Sequence, residues 1–160
     1  MMLGSDGKTF KSRTGATVKL VDLLEEASER AEVLINKGEY DLSAQQRKII
    51  ADKVGIGAVK YADLSKNRIT DYIFNWDTML SFEGNTAPYL QYAYARVQSI
   101  FRNADVNDVN LQADIQLDEP QEKLLAVKLM QYVEAIKQVS SDATPHILCT
   151  YISVPYTHLR

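Results

Sequence analysis

The sequence is poor in the residues that most often carry chemistry. It has one cysteine, Cys149, and two histidines, His146 and His158. A single thiol excludes an intrachain disulfide and a cysteine-built zinc site. Its place in the apolar run Ile147-Leu148-Cys149 gives it the role of a buried structural thiol, which suits a reducing cytosol. No HExxH, CxxC, GxSxG or Walker pattern occurs, which removes the common signatures of zinc hydrolysis, thiol exchange, serine acyl transfer and P-loop phosphate binding. Nothing suggests a metal site. No apolar run approaches the roughly 20 residues that span a bilayer. The start Met1-Met2-Leu3-Gly4 has neither the basic region nor the apolar core of a signal peptide. The chain is expected to be soluble and cytoplasmic, without a membrane partner.

A basic excess is also lacking: the formal net charge is −3, whereas nucleic-acid binders usually carry cations that neutralise phosphates. Composition alone therefore gives no support for RNA. The charge is uneven, however. Before Leu20 stand Lys8, Lys11, Arg13 and Lys19 against Asp6, and Asp22, Glu25, Glu26, Glu29 and Glu32 follow. A basic loop precedes an acidic helix, whose Glu25, Glu26 and Glu29 read as a solvated face.

What is present is mostly helical pattern, and 46% hydrophobic content over 160 residues is enough for one domain or two small ones. Leu24, Ala27, Ala31, Leu34 and Ile35 share one face of a helix over residues 21–36, with Lys37-Gly38 as its stop. Ser43 with Gln46 fits a capping box, and that helix is expected to end at Gly55, with another over 58–64. Gly55-Ile56-Gly57 is half of a dinucleotide fingerprint, but Ala58-Val59-Lys60 offers no third glycine, so the glycines read as helix breakers. Residues 69–74 form the one good strand candidate. Residues 103–117 read as a linker. Asp118 and Pro120 start a helix with Leu125, Leu129, Tyr132, Val133 and Ile136 on its buried face, and Thr144-Pro145 starts a last helix that Pro155 stops.

The segment from Ser81 to Val97 is the most informative. Asn85-Thr86 suits a helix cap and Pro88 a first turn. Leu90, Ala93, Tyr94, Val97, Ile100 and Phe101 then supply a core stripe at helical spacing. Packing does not account for Gln91, Tyr92 and Arg96, which lie on other faces. A ring and a guanidinium there suit unpaired bases and phosphates. They equally suit burial of Tyr92 against the preceding half and an ion pair for Arg96. Two basic motifs compete for a phosphate role. Phe10-Lys11-Ser12-Arg13, with Lys8 and Gly15 beside it, lies on a turn-bounded loop where cations can move onto a polyphosphate, though solvated lysines look the same. Ser65-Lys66-Asn67-Arg68 follows a helix end, where cations meet the C-terminal carbonyls.

Longer strings decide between them. Asp6-Gly7-Lys8, Phe10-Lys11-Ser12-Arg13-Thr14-Gly15, Thr17-Val18-Lys19-Leu20, the run from Val54 to Arg68, Asp71-Tyr72, Trp76-Asp77 and Phe82-Glu83-Gly84-Asn85-Thr86-Ala87-Pro88-Tyr89 together resemble bacterial arginyl-tRNA synthetases, in family order, from Met2 to about Tyr151. The resemblance implies a mainly α fold: the C-terminal end of a class I Rossmann-type catalytic domain over 1–84, with a KMSKS-like loop, helices and one short strand, then part of an all-α anticodon-binding bundle over 85–160. It makes Lys8, Lys11, Ser12 and Arg13 the degenerate counterpart of the KMSKS loop that closes over ATP. Phe10, Lys11 and Ser12 depart from the full signature, which leaves open whether Lys8, Lys11 or Arg13 faces the phosphates. It also suggests tRNA contacts for Asn85, Gln91, Tyr92 and Arg96.

The implied reaction is arginine–tRNA ligation through arginyl-adenylate, with arginine, its tRNA and ATP with Mg2+ as partners, in a monomer. The HIGH-type loop and arginine pocket lie upstream in that family, and the last nine residues leave its pattern. The chain alone is therefore expected to be an inactive piece of such an enzyme, an excised segment or a gene remnant. The alternative is a stand-alone helical tRNA-binding or interaction module without catalysis.

Overall fold

The computed structural model describes residues 2–4, 7, 19–38, 40–104 and 114–158. The elements run β1 (Met2–Leu3), α1 (Leu20–Asn36), α2 (Ala44–Leu64), β2 (Tyr72–Ile73), α3 (Trp76–Met79), α4 (Ala87–Asn103), α5 (Pro120–Met130), α6 (Tyr132–Asp142) and α7 (Pro145–His158). They divide into two compact units, Met1–Tyr89 and Leu90–Arg160. The division falls in the first turn of α4.

The first unit is organised by the hairpin of α1 and α2. Leu23, Ala27 and Ala31 recur every four residues on α1 and are buried, which places small side chains along one stripe. Facing them, α2 buries Ala51, Gly55 and Ala58. A Cβ built on Gly55 would stand 2.4 Å from the Ala27 carbonyl oxygen and 2.6 Å from the Ser28 nitrogen, so the two backbones touch there. The core joins Ala31, Ala51, Ala58 and Leu80, with Leu34, Ile35, Val54 and Trp76 packed around it.

The expected break in α2 is therefore corrected: the helix runs unbroken through Gly55 and Gly57 to Leu64. Glycine costs a helix about 1 kcal/mol relative to alanine, and the close crossing of α1 offsets that cost. The capping box at the start of α2 is present, with Gln46 N–H donating to Ser43 Oγ at 3.3 Å and Ser43 N–H to Gln46 Oε1 at 2.9 Å. One turn on, Arg47 donates to the Tyr40 and Leu42 carbonyls at 2.7 and 3.2 Å and to Asn36 Oδ1 at 3.2 Å. A single guanidinium thus gathers the connection between the two helices.

The strand expected over 69–74 is shorter, Tyr72–Ile73, because the preceding residues turn: Thr70 N–H donates to the Asn67 carbonyl at 2.9 Å and Ile69 N–H to Asn67 Oδ1 at 3.2 Å. It pairs in parallel with β1, Met2 opposite Tyr72 and Leu3 opposite Ile73. A two-residue strand carries no alternation, so β1 left no trace in the sequence pattern. Asn75 then caps the short α3, accepting from Thr78 N–H at 2.9 Å, and Phe74 meets Trp76 edge-on with centroids 4.7 Å apart.

In the second unit the helix expected after Pro120 is two helices, broken at Gln131. The face assigned to the core is open: Leu125, Leu129, Tyr132, Val133 and Ile136 are all exposed. The half-buried positions are instead Ala126, Lys128, Ala135 and Val139. The break interrupts the helical phase that linked Leu125 and Leu129 to Val133 and Ile136. The stripe on α4 is likewise only partly covered, with Ala93 buried but Val97, Ile100 and Phe101 exposed. Tyr151 on α7 closes this unit by donating its O–H to the Lys128 carbonyl and by lying 5.9 Å from the Tyr132 ring. The backbone of α7 continues past Pro155 to His158, where a stop was expected. Ala143, at φ 50°, turns the chain between α6 and α7 in the left-handed region.

Candidate functional site

Lys8, Lys11, Ser12 and Arg13 lie outside the described residues. Their loop has described residues at both ends. β1 precedes it, Gly7 at φ 71° closes a turn onto the Gly4 carbonyl at 2.9 Å, and Lys19 leads into α1.

The entry to α4 is described in full. Thr86 is its cap: the buried Oγ1 accepts from Tyr89 N–H at 3.3 Å and donates to the Ser81 carbonyl at 2.6 Å. Residues 81–86 fold on themselves, with Glu83 N–H donating to Ser81 Oγ at 3.0 Å and Gly84 at φ 79°. That φ is why a glycine stands at the tip. Pro88, in the first turn, is fully buried. Its missing N–H costs nothing there, since the first-turn amides have no intrahelical acceptor.

Asn85 is exposed, and its Oδ1 accepts from the Tyr61 hydroxyl of α2 at 2.5 Å. Both residues line a cavity of about 110 Å³ whose polar lining also includes Lys66, Tyr72, Asn75 and Thr86. Tyr72 donates to Asp63 Oδ1 at 3.1 Å. Burial first, then this bond and the carboxylate's charge, push its phenol up to about 12.

Gln91, Tyr92 and Arg96 all stand on α4. Gln91 is half-buried. Tyr92 and Arg96 are exposed, and the guanidinium carbon lies 5.7 Å from the Tyr92 ring centroid, a cation–π distance. They form a pair at i, i+4, a flat ring with a cation over it. A second cation–π pair, Arg30 at 5.0 Å from Trp76, borders an open groove of about 560 Å³ in the first unit. There Glu26 already holds the guanidinium at 2.8 Å. On α7, burial pushes the Cys149 thiol up, the behaviour of a structural cysteine.

Among the described residues no three His, Cys, Asp or Glu side chains come together to hold a metal ion. Nor is any of the described helices long and apolar enough to cross a membrane. Sequence reasoning passed over Tyr61. It lies 24 positions before its partner, a spacing with no local signature.

Residues 1–76 match the family described as tRNA synthetases class I (R), catalytic domain, and residues 90–154 the DALR anticodon binding domain. A catalytic-domain end followed by a helical anticodon-binding segment is the arrangement of a class I aminoacyl-tRNA synthetase. The arginine–tRNA ligase of Pseudoalteromonas atlantica is 69% identical over 152 residues, and that of Alteromonas mediterranea 67%, in each case 95% of this chain and 26% of the relative. The Thermus thermophilus arginyl-tRNA synthetase structure superposes with a TM-score of 0.80 at 30% identity, over 96% of this chain and 24% of that one. The Plasmodium falciparum arginyl-tRNA synthetase gives 0.75 at 27%, over 89% and 26%. The chain belongs to the arginyl-tRNA synthetase family, and it spans about a quarter of the length of the curated relatives it matches.

Proposed function

We propose that this segment serves arginine–tRNA ligation. The reaction runs in two steps. The arginine carboxylate attacks the α-phosphorus of ATP and pyrophosphate leaves, giving arginyl-adenylate. A hydroxyl of the terminal tRNA ribose then attacks the activated carbonyl and AMP leaves. The observation that carries this reading is the succession of catalytic and anticodon-binding matches along one chain, at 69% identity to a named arginine–tRNA ligase.

In the first step the loop residues Lys8, Lys11, Ser12 and Arg13 are the candidates for the phosphates, with one or more of the three cations facing them. Charge develops on the departing pyrophosphate, and cations brought over it stabilise the transition state more than the ground state. No described cluster of carboxylates fits the Mg2+ that accompanies ATP in this class.

In recognition, Tyr92 and Arg96 offer a ring for stacking on an unpaired base and a guanidinium for a phosphate. Asn85 and Gln91 add neutral hydrogen-bonding groups at the start of the same helix. This division fits a chain of net charge −3: a few placed groups act where a broad basic surface is missing. A cytoplasmic location and a monomeric state fit the same reading.

The loop assignment is tested in a full-length ligase carrying this segment. Replacing Lys8, Lys11 and Arg13 together with Ala should slow pre-steady-state adenylate formation by about a hundredfold or more, since one lost transition-state contact of this kind is worth about 3 kcal/mol. tRNA affinity should change little. An unchanged activation rate would reject the assignment.

A further inference from the structure

Tyr61 stands near the end of α2 and Asn85 in the turn before α4, both in the first unit, and the phenolic O–H donates to Asn85 Oδ1. An asparagine amide has one accepting oxygen and an NH2 with two donors. With Oδ1 turned to Tyr61, the Nδ2 hydrogens stand on the other side of an exposed side chain. The turn that carries Asn85 is itself fastened, by Thr86 Oγ1 to the Ser81 carbonyl and Thr86 N–H to the Gly84 carbonyl at 3.2 Å. The turn is thus fixed in place, and in this structure Tyr61 takes the amide by its oxygen.

We infer that Tyr61 is a positioning residue for tRNA recognition: it holds the Asn85 amide as a two-hydrogen donor aimed at an acceptor atom of the RNA. The inference rests on the reading that Asn85 faces tRNA. A donor is the useful sense, because phosphate oxygens and most exposed base edges accept. Without the Tyr61 hydroxyl the amide loses the bond that turns its oxygen inward, and an oxygen turned outward would set like against like.

The test is steady-state arginylation by the full-length ligase carrying this segment, with Tyr61→Phe, Asn85→Ala and the double variant. Tyr61→Phe is expected to raise the KM for tRNA by roughly 2- to 10-fold, the range of one hydrogen bond. Its kcat and melting temperature should hold. Asn85→Ala is expected to raise KM at least as much, and the double variant no further, since Tyr61 acts through Asn85. A raised KM in Asn85→Ala with none in Tyr61→Phe, or a double variant in which the two effects add, overturns the positioning role and leaves the Asn85 reading standing. An unchanged KM in Asn85→Ala overturns both. Anticodon-loop variants of the tRNA separate the two acceptors: a base contact loses discrimination in Asn85→Ala, and a phosphate contact loses affinity equally for all.

Discussion

Gly55 and Tyr72 show how single side chains hold the first unit. A methyl at Gly55 would meet three backbone atoms of α1 within 2.6 Å, and backbone cannot rotate away as a side chain can. Gly55→Ala should therefore destabilise the protein by about 1–3 kcal/mol, against the roughly 1 kcal/mol that alanine adds to an isolated helix. Urea unfolding checks this, since a lower midpoint at constant slope reports lost stability. Tyr72 makes a prediction about alkali. Burial first, then Asp63, pushes its phenol from the ordinary 10.0 up to about 12 in the fold. The stability tied to its protonated state is full below pH 10 and is lost as pH rises from 10 to 12. Tyr72→Phe should flatten the fall in melting temperature across that window. An identical fall in both proteins would show that the phenol titrates normally.

The helices show what a linear pattern can and cannot convey. The face of α1, the capping box of α2, the cap and buried proline of α4 and the starts of α5 and α7 were legible, because each is written in residues within a turn or two of one another. Others were not. Gly55 looked like a breaker because its reason lies across the crossing on α1. β1 is too short for any period. The apolar residues of α5 and α6 looked like core because periodicity reports that a stripe exists, not that something covers it. The candidate site divides in the same way: that Tyr92 and Arg96 stand off the α4 stripe follows from helical spacing, whereas the cation over the ring and the Tyr61–Asn85 bond do not. On α4 the two kinds of residue make separable predictions. Arg96→Ala removes an exposed guanidinium, so in the full-length ligase it should raise the KM for tRNA severalfold and move the melting temperature by no more than the equivalent of about 0.5 kcal/mol. Ala93 is buried and Phe101 exposed, so a bulky replacement at Ala93 should destabilise while Phe101→Ala should cost well under the 3–5 kcal/mol of a buried phenylalanine. A sharp loss of stability in Arg96→Ala with unchanged tRNA kinetics would make that residue structural.

The whole chain joins two units of different character. The first is a tight α1–α2 hairpin with a small parallel strand pair, which supplies anchored ends for a basic loop and a fastened turn before α4. The second is helical, with much of its apolar surface open to solvent among the described residues. Both match parts of one enzyme family, its catalytic domain over residues 1–76 and its anticodon-binding domain over residues 90–154. On the function we propose, the two units would act with the rest of a ligase, the loop of the first serving ATP and the turn before α4 with α4 itself serving tRNA. The most direct measurement replaces the corresponding quarter of the Pseudoalteromonas atlantica ligase with these 160 residues and follows arginylation of its tRNA. The account predicts a folded chimera with kcat/KM for tRNA within about tenfold of the parent, a difference of no more than about 1.4 kcal/mol in transition-state stabilisation. A chimera that folds with the parent's melting temperature but transfers no arginine would contradict it.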